Sequence, residues 1–346
     1  MENLEASIPS LVYLQRGAFS KISKVVEKIN SQNAIILTDQ VVLEILKERI
    51  EKLGFEKIIV TEANLLEARK IEAMLSYSEV DAIVGIGGGK VLDVSKVVAS
   101  ELNVPFISVP TTASHDGIAS PVASFKEQGR PISISAKAPI AVVADIDIIE
   151  KCPKRLIHSG FGDLISNITA VKDWKLSRDL TGESYNEVIA SIATIPAYLM
   201  LNKAKDNLSL KEDLETLLRG LIMSGVAISM AGSSRPASGA EHKFSHAIDY
   251  LGYGFGTHGE QVGIGTIIFE FMYENHYGDG DWRAIKEAMK KVGAPTKLSE
   301  IGLSKDQAIS ALLQAKMIRR RRFTILEALN PSKEEFERIL RETELI

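Results

Sequence analysis

Three of the six histidines lie within seventeen residues of one another, which is a spacing suited to a metal site. His242 and His246 are four residues apart, so on a helix both imidazoles would lie on one face. His258 follows in a glycine-rich segment. A histidine pair at i and i+4 is a moderately strong sequence signal for a metal site. A catalytic site with an oxygen ligand would need a carboxylate as well.

Asp163 is the best candidate for that carboxylate. It closes the segment His-Ser-Gly-Phe-Gly-Asp, residues 158–163, which predicts a glycine-containing turn at the start of a helix. The more common role of Asp in that position is to cap the helix, and a single buried histidine is usually a hydrogen-bonded core residue. These residues therefore indicate a metal centre only as a set.

A second group of candidate residues is the glycine-rich segment Val-Gly-Ile-Gly-Gly-Gly-Lys-Val-Leu-Asp, residues 84–93, between a predicted strand and a predicted helix. Backbone N–H groups there could contact a phosphate at the positive end of the helix dipole. The standard dinucleotide fingerprint does not fit, because a motif begun at Gly85 puts Lys90 in the third glycine position, and the P-loop pattern fails too. A tight turn without a ligand is the alternative. Taken singly, Lys90 and Lys96 are expected to be solvated.

The loop after the next predicted strand is also polar. Residues 110–121 read Pro-Thr-Thr-Ala-Ser-His-Asp-Gly-Ile-Ala-Ser-Pro. Small hydroxyl side chains, a histidine and an aspartate at the carboxyl end of a strand can hydrogen-bond a cofactor or a substrate. The same composition also describes an ordinary turn-rich loop, so the residues alone leave both interpretations open.

The elements that must position these groups follow an α/β pattern in the first 150 residues. Apolar runs predict strands at 33–38, 57–60, 82–86, 106–109 and 141–144, and amphipathic stretches predict helices at 41–53, 64–75 and 90–102. Strands that are apolar throughout indicate a parallel sheet covered on both faces, whose ligands bind at the carboxyl ends of the strands. The later sequence is helical. We therefore predict an α/β fold with a Rossmann-like parallel-sheet domain, 1–150, followed by an all-helical domain, 151–346, for metal and substrate.

Composition excludes several classes of protein. The 346 residues carry 41 basic and 45 acidic side chains, and this balance argues against a nucleic-acid partner. Cys152 is the only cysteine, so no disulfide can form within the chain. The longest uncharged apolar stretch, 221–232, is shorter than the roughly 20 residues of a membrane span and predicts a buried helix. With no apparent export signal, these features predict a cytoplasmic protein.

In their order and spacing these segments resemble the superfamily of iron-dependent alcohol dehydrogenase, glycerol dehydrogenase and dehydroquinate synthase. The resemblance covers about residues 30–262 and rests on Gly87-Gly88-Gly89 with Asp93, Pro110-Thr111-Thr112, Gly162-Asp163, Glu241-His242 with His246, and His258-Gly259-Glu260. Residues 114–117, 238–242 and 322–327 are most similar to its archaeal sn-glycerol-1-phosphate dehydrogenase branch.

The resemblance implies a set of site residues. A Zn²⁺ ion would be held by Asp163, His242 and His258, whereas His246 would contact the substrate instead of the metal. Asp163 and Asp116 would contact the substrate as well, and Asp116 and His246 are the candidate catalytic residues. NAD(P)H would be bound by Asp39 at the ribose, by Gly89, Lys90, Val91, Leu92 and Asp93 at the pyrophosphate, and by Thr111, Thr112, Ala113, Ser114 and Ser120 near the nicotinamide.

The implied reaction is the reduction of dihydroxyacetone phosphate to sn-glycerol 1-phosphate, which supplies the backbone of archaeal membrane lipids. Zinc would polarise the C2 carbonyl, and His246 or Asp116 would supply a proton through water. The substrate phosphate would need cationic partners, for which Lys243, Arg235 and one of residues 319–322 are unranked candidates.

Several alternatives stay open at this point. The main one is a polyol dehydrogenase that acts on unphosphorylated glycerol; others are a cyclising synthase that uses NAD transiently and a non-catalytic binding protein. Asp39 would repel the 2′-phosphate of NADP, although nearby basic residues could offset this. We also expect a homo-oligomer.

Overall fold

The computed structural model describes residues 6–127, 130–206, 209 and 212–346. Within these residues the strands form a six-stranded parallel sheet in the order β1-β8-β5-β4-β2-β3 and a separate antiparallel pair, β6-β7. The strands are β1 Leu11–Gln15, β2 Ala34–Thr38, β3 Glu56–Ile59, β4 Ala82–Gly87, β5 Phe106–Pro110, β6 Val122–Glu127, β7 Arg130–Ser135 and β8 Ala141–Asp145.

The helices form two groups, those among and directly after the strands and those that follow. Those among and directly after the strands are α1 Ile22–Lys28, α2 Gln40–Glu51, α3 Leu65–Leu75, α4 Gly89–Glu101 and α5 Ile146–Ile149. The later ones are α6 Lys154–Thr181, α7 Glu187–Asp206, α8 Leu214–Ala231, α9 Ala240–Leu251, α10 His258–Tyr277, α11 Trp282–Val292, α12 Lys305–Ala315, α13 Ile325–Leu329 and α14 Lys333–Glu342. The described residues beyond Asp145 contain no strand.

The register of the sheet brings three loops to one edge. Strands β2, β4, β5 and β8 are buried along their whole length, as expected when helices cover a parallel sheet. Gly87 at the end of β4 lies opposite Pro110 at the end of β5, and Thr38 of β2 lies opposite Ile86. Because these strands are parallel, the loops that follow them leave the sheet at the same edge.

The predicted α/β fold class is confirmed, and the five predicted strands and three predicted helices are all present. The sequence reasoning missed the short helices α1 and α5, strand β1 and the pair β6-β7. Strand β1 lies at the edge of the sheet and is only partly buried, so its apolar signal is weak. The pair β6-β7 is short, and Pro131 within it is a residue that usually argues against a strand.

The chain divides into two compact units. One comprises Met1–Pro153 with Leu221–Gly232, and the other comprises Lys154–Gly220 with Ser233–Ile346. We call them the sheet unit and the helical unit. Helix α8 contributes residues to both units.

Helix α8 is also long and apolar enough to cross a membrane by length and composition, the one such helix in the described part of the chain. Of its residues, 61% are buried inside the protein. The helix begins at Leu214, before the apolar stretch of the sequence, and this burial is typical of a core helix.

Candidate active site

The helical unit brings together two histidines and one aspartate. Asp163 on α6, His242 on α9 and His258 at the start of α10 each offer one donor atom, and these atoms lie within 4.8 Å of one another. Oδ1 of Asp163 lies 3.8 Å from Nε2 of His242 and 3.6 Å from Nε2 of His258. Two imidazole nitrogens and one carboxylate oxygen form a donor set that zinc and several other divalent metals accept.

The orientation of His242 is set by the residue before it. Its Nδ1 lies 2.9 Å from Oε1 of Glu241, a side chain with no exposed surface. A carboxylate oxygen accepts, so Nδ1 carries the proton and Nε2 presents its lone pair towards Asp163. This is the arrangement by which proteins usually hold a metal-binding imidazole.

His258 is oriented through a serine and a glutamine. The Ser245 hydroxyl donates to Oε1 of Gln261 over 2.6 Å, and Nε2 of Gln261 donates to the Gly256 carbonyl. Because the single hydroxyl proton of Ser245 is used in this way, its oxygen accepts from Nδ1 of His258, 3.2 Å away. Nε2 of His258 is then the nitrogen that faces Asp163, as Nε2 of His242 does.

Close packing of α6 against α10 places Asp163 beside His258. A Cβ on Gly162 would lie 2.1 Å from the carbonyl oxygen of Gly259, and a Cβ on Gly259 would lie 1.7 Å from the carbonyl oxygen of Ser159. Only glycine fits at both positions, which are the chain neighbours of the two ligand candidates. The backbone N–H of Gly259 also donates to the Ser159 hydroxyl over 3.1 Å.

The expectation that Asp163 begins a helix is wrong. It lies well inside α6, which starts at Lys154, so it does not cap that helix. The glycines before it, which predicted a turn, serve the contact between helices instead. His258 is the first residue of α10, where Thr257 and Glu260 form a capping box and Arg155 pairs with Glu260 over 2.8 Å.

His246 lies near the three donors but outside their group. It is on the same helix as His242, with ring centroids 6.4 Å apart, and its ring lies 6.0 Å from that of His258. Burial lowers the pKa of His246 well below its usual value, and Arg319 lowers it further. Its Nδ1 is buried and has no hydrogen-bond partner among the described residues. A buried nitrogen of this kind is available to a ligand.

Two buried carboxyl groups lie behind the donors. Asp173 accepts backbone N–H groups from Ala240 and Ile325 and the hydroxyl of Tyr273. Burial and the neighbouring Glu241 raise the pKa of Asp173 to about 7, and burial raises the pKa of Glu241 to about 7 as well. Asp173 thus ties the start of α9 to α13 and α10, a role that sequence reasoning missed because its partners are distant in the chain.

In the sheet unit, the predicted cofactor residues lie around the loops after β2, β4 and β5. A Cβ on Gly89 would lie 2.3 Å from Nε2 of His115, so the loop after β5 packs against the glycine loop after β4. The Thr111 N–H donates to the Gly87 carbonyl over 3.0 Å. The cofactor candidates of these loops are Gly89, Lys90, Val91, Leu92 and Asp93 on α4, and Thr111, Thr112, Ala113, Ser114 and Ser120 after β5.

The expectation that Lys96 is solvated is wrong. Lys90 is exposed, but the Lys96 side chain has no exposed surface and donates to the carbonyls of Gly117 and Val122 and, over 3.4 Å, to Asp93. Asp93 also accepts the Ser124 N–H. Asp93 and Lys96 on α4 therefore anchor the loop after β5 and the β6-β7 pair.

Two further candidate residues have partners within the sheet unit. Asp39 caps α2 by accepting the Val42 N–H over 2.9 Å, and it stands at the end of β2. Asp116 accepts the hydroxyl of Ser224 on α8 over 2.8 Å, and burial raises the pKa of its carboxyl group. Asp39 thus has a capping role and Asp116 a structural contact, and either could also bind a ligand.

Comparison with known proteins identifies the family. Residues 13–153 match the family model described as iron-containing alcohol dehydrogenase. Over 341 residues the chain is 58% identical to glycerol-1-phosphate dehydrogenase (NAD(P)+) of Archaeoglobus fulgidus, and the match covers 97% of both chains. The chain belongs to the glycerol-1-phosphate dehydrogenase family. A member from Sulfolobus acidocaldarius is 40% identical over 347 residues, which cover 98% of this chain and 97% of that one.

Solved structures agree on the fold. Glycerol dehydrogenase from Schizosaccharomyces pombe superposes with a TM-score of 0.80 at 21% identity, covering 99% of this chain and 91% of that one. Sulfoacetaldehyde reductase from Bifidobacterium kashiwanohense, solved with NAD+, gives a TM-score of 0.72 at 16% identity and covers 99% of both chains. The resemblance inferred from the sequence motifs is therefore confirmed at the level of the family, an oxidoreductase family.

Replacing Gly259 with alanine should disturb both folding and metal binding. Its Cβ would meet backbone atoms of α6, which cannot rotate away, so we expect the variant to lose about 3 kcal/mol of stability and to bind zinc more weakly. Gly263→Ala on the same helix is the matched control, because its Cβ meets the flexible end of Met289 at 2.5 Å. Thermal unfolding and zinc competition with a chromophoric chelator measure the two effects; equal behaviour of the variants would contradict the packing argument.

Replacing Ser245 with alanine should weaken metal binding without a comparable loss of stability. His258 would lose the group that orients its ring, and outer partners of this kind contribute about 10- to 100-fold to metal affinity. Ser191→Ala is the control, since Ser191 is exposed and bonds only the Glu187 carbonyl. The same chelator competition measures both variants, and an unchanged affinity in Ser245→Ala would show that its hydroxyl does not position His258.

Proposed function

We propose that this chain reduces dihydroxyacetone phosphate to sn-glycerol 1-phosphate with NAD(P)H and a zinc ion, as a step towards membrane glycerophospholipids. The observation that carries the proposal is the 58% identity, along 97% of both chains, to a glycerol-1-phosphate dehydrogenase (NAD(P)+). The donor group of Asp163, His242 and His258 supports the metal part of the proposal. The NAD(P)+ in the names of these relatives supports the cofactor.

The protein's part in metal binding is to hold three donors in a fixed arrangement. Glu241 and Ser245 orient the two imidazoles, and burial keeps His242 neutral by lowering its pKa well below the usual value, which suits it to bind a cation. Three protein donors leave a position open for the substrate. When bound, the metal supplies a Lewis acid that polarises the ketone carbonyl.

The protein's part in cofactor binding falls to the start of α4. Its N-cap is Gly88, which provides no side-chain cap, so N–H groups of the first turn are available to a pyrophosphate. A Cβ on Gly88 would lie 3.6 Å from the Thr112 hydroxyl, an ordinary contact, so the need for glycine is stronger at Gly87 and Gly89, where a Cβ would collide. We assign the pyrophosphate to residues 89–93 and the adenosine ribose to Asp39.

Asp116 and His246 are the proposed substrate-contacting and catalytic residues. Both carry a group that can hold a proton, and burial raises the pKa of Asp116 above its usual value. A proton donor must be protonated at the working pH, and a raised carboxyl pKa favours that state. A homo-oligomeric state and a cytoplasmic location remain predictions from the sequence.

The first test is oxidation of NADH and of NADPH by the purified protein, followed at 340 nm. We expect turnover with dihydroxyacetone phosphate and not with dihydroxyacetone, loss of turnover on chelation, and recovery with Zn²⁺. Analysis of the product with enantiomer-specific enzymes should give the sn-1 isomer. Turnover with free dihydroxyacetone would assign the chain to polyol oxidation, and persistence of activity in chelator would remove the metal from the proposal.

The proton donor can be found from the pH dependence of the rate. The rate falls as pH rises through the pKa of the donor, because only the protonated form donates, and replacing the donor with asparagine removes that alkaline limb. We expect Asp116→Asn to remove it and His246→Asn, the control, to keep it, because burial raises the pKa of the Asp116 carboxyl group and lowers that of His246. If both variants keep the wild-type limb, neither residue is the donor.

A further inference from the structure

The helical unit has an open, solvent-accessible cavity of about 420 Å³ that is lined by Glu183, Ser233, Arg235 and residues 319–322. Five of the seven lining residues are arginines and one is acidic, so its interior is strongly cationic. The sequence places Arg-Arg-Arg-Arg at 319–322, and a helix would point these side chains in different directions. The structure separates them by burial: Arg320 and Arg321 are exposed, whereas Arg319 and Arg322 are half-buried.

Two basic residues near the cavity already have anionic partners. Arg235 is buried and makes a two-pronged contact with the Glu183 carboxylate, with further bonds to the Phe323 carbonyl and the Ser177 hydroxyl. Lys243 lies 2.5 Å from the Glu327 carboxylate. A paired cation attracts a further anion weakly, so these residues are poor candidates for a phosphate site.

Arg322 has no such partner. Its guanidinium donates to the Ser238 carbonyl at 2.5 Å and to the Ser234 hydroxyl at 2.9 Å, and it forms no ion pair within 4.0 Å among the residues that the structure describes. Burial and the charges of Arg319 and Arg235 lower the pKa of Arg322 to about 9. A partly desolvated guanidinium that is bonded only to neutral groups favours an incoming anion.

Arg319 is held beside it in an unusual backbone conformation. Its φ of 44° lies in the left-handed region, which residues with a long side chain rarely adopt. Its guanidinium donates to the Ser238 hydroxyl over 2.9 Å. Both arginines thus meet at Ser238, and Lys243 fixes the turn by donating to the Arg322 carbonyl. Strain of this kind is typical of ligand-binding segments.

The two arginines lie close to the candidate metal centre. Ser238 is four residues before His242, at the entry to α9. Because Ser238 accepts hydrogen bonds from both guanidinium groups, Arg319 and Arg322 both lie at the entry to the helix that carries His242 and His246. An anion held by the arginines would therefore lie near the site where a ketone is polarised.

We propose that Arg319 and Arg322 bind the phosphate of the substrate, and so select a phosphorylated ketone over the free one. This inference rests on the proposed function for the identity of the ester, but the cavity's attraction for an anion follows from its charge. A planar guanidinium group can donate two hydrogen bonds to a pair of phosphate oxygens. Two such groups recognise a phosphate by geometry as well as by charge. Arg320 and Arg321, being exposed, add a general attraction for anions at the mouth of the cavity.

The test compares Arg322→Gln and Arg319→Gln with Arg338→Gln, an exposed arginine of the same unit. With the zinc-loaded enzyme we expect the first two to raise KM for dihydroxyacetone phosphate by about 10- to 100-fold, with a smaller change in kcat and in KM for NADPH. Inorganic phosphate should inhibit the wild type in competition with the ketone, and both variants should lose this inhibition. Arg338→Gln should match the wild type.

Direct binding of inorganic phosphate, measured by titration calorimetry, separates the two proposals. If no ketone turns over but phosphate binding is present in the wild type and lost in Arg322→Gln, the function is wrong and the anion site stands. If turnover is normal and the folded variants keep the wild-type KM and phosphate inhibition, the site assignment is wrong. Competition of phosphate with NADPH instead of the ketone would also overturn it, because the cavity would then serve the cofactor.

A structural defect is tested with Arg322→Lys, which keeps the charge and loses the fork. We expect it to unfold at the wild-type temperature and to recover part of the phosphate inhibition. Full loss of inhibition in Arg322→Lys at unchanged stability would still support bidentate binding. A parallel rise in KM for NADPH would instead assign the residue a structural role.

Discussion

The candidate metal centre depends on how closely two helices approach each other. Where α6 passes α10, each helix has a glycine whose Cβ would overlap the backbone of the other helix, and these glycines stand next to Asp163 and His258. Helix α9 approaches α10 in the same way at Gly265, whose Cβ would lie 3.0 Å from the Cα of Glu241. Small residues at the crossings therefore bring three donors from three helices to one point, and no long side chain is needed to span the distance.

Around that point, the helical unit buries many charged and polar groups. Asp173, Glu241, Arg235 and Lys243 each have partners, and several of these partners come from parts of the chain more than fifty residues away. Burying charges is expensive in free energy, and paired networks seldom stabilise a fold as much as apolar packing would. We interpret the network as a means of fixing geometry. It holds the entry to α9, the arginine segment 319–322 and α13 in one arrangement.

The sheet unit uses a different constraint. Parallel strands in register end at one edge, so residues after β2, β4 and β5 lie at the same edge although those after β2 and β5 are more than seventy residues apart in the chain. Lys96 and Asp93 then bind the loop after β5 and the β6-β7 pair to α4. A lysine without solvent exposure is unusual and is stable here because three acceptors surround its ammonium group.

The sequence by itself determined the parallel sheet, the helical remainder and the family, because periodicity and ordered motifs are local signals. The histidine pair at i and i+4 would have made His246 a metal ligand, and only the family resemblance pointed to His258, which the structure places beside Asp163 and His242. The sequence could not place Asp163 inside a helix, since glycines that serve a helix crossing look the same as glycines that make a turn. It also wrongly predicted a solvated Lys96 and left the four arginines undecided. Burial of a charge depends on acceptors contributed by distant segments, such as Val122 for Lys96 and Ser238 for Arg322. Only the tertiary structure brings those segments together, and it therefore decided which basic residues are buried and which are exposed.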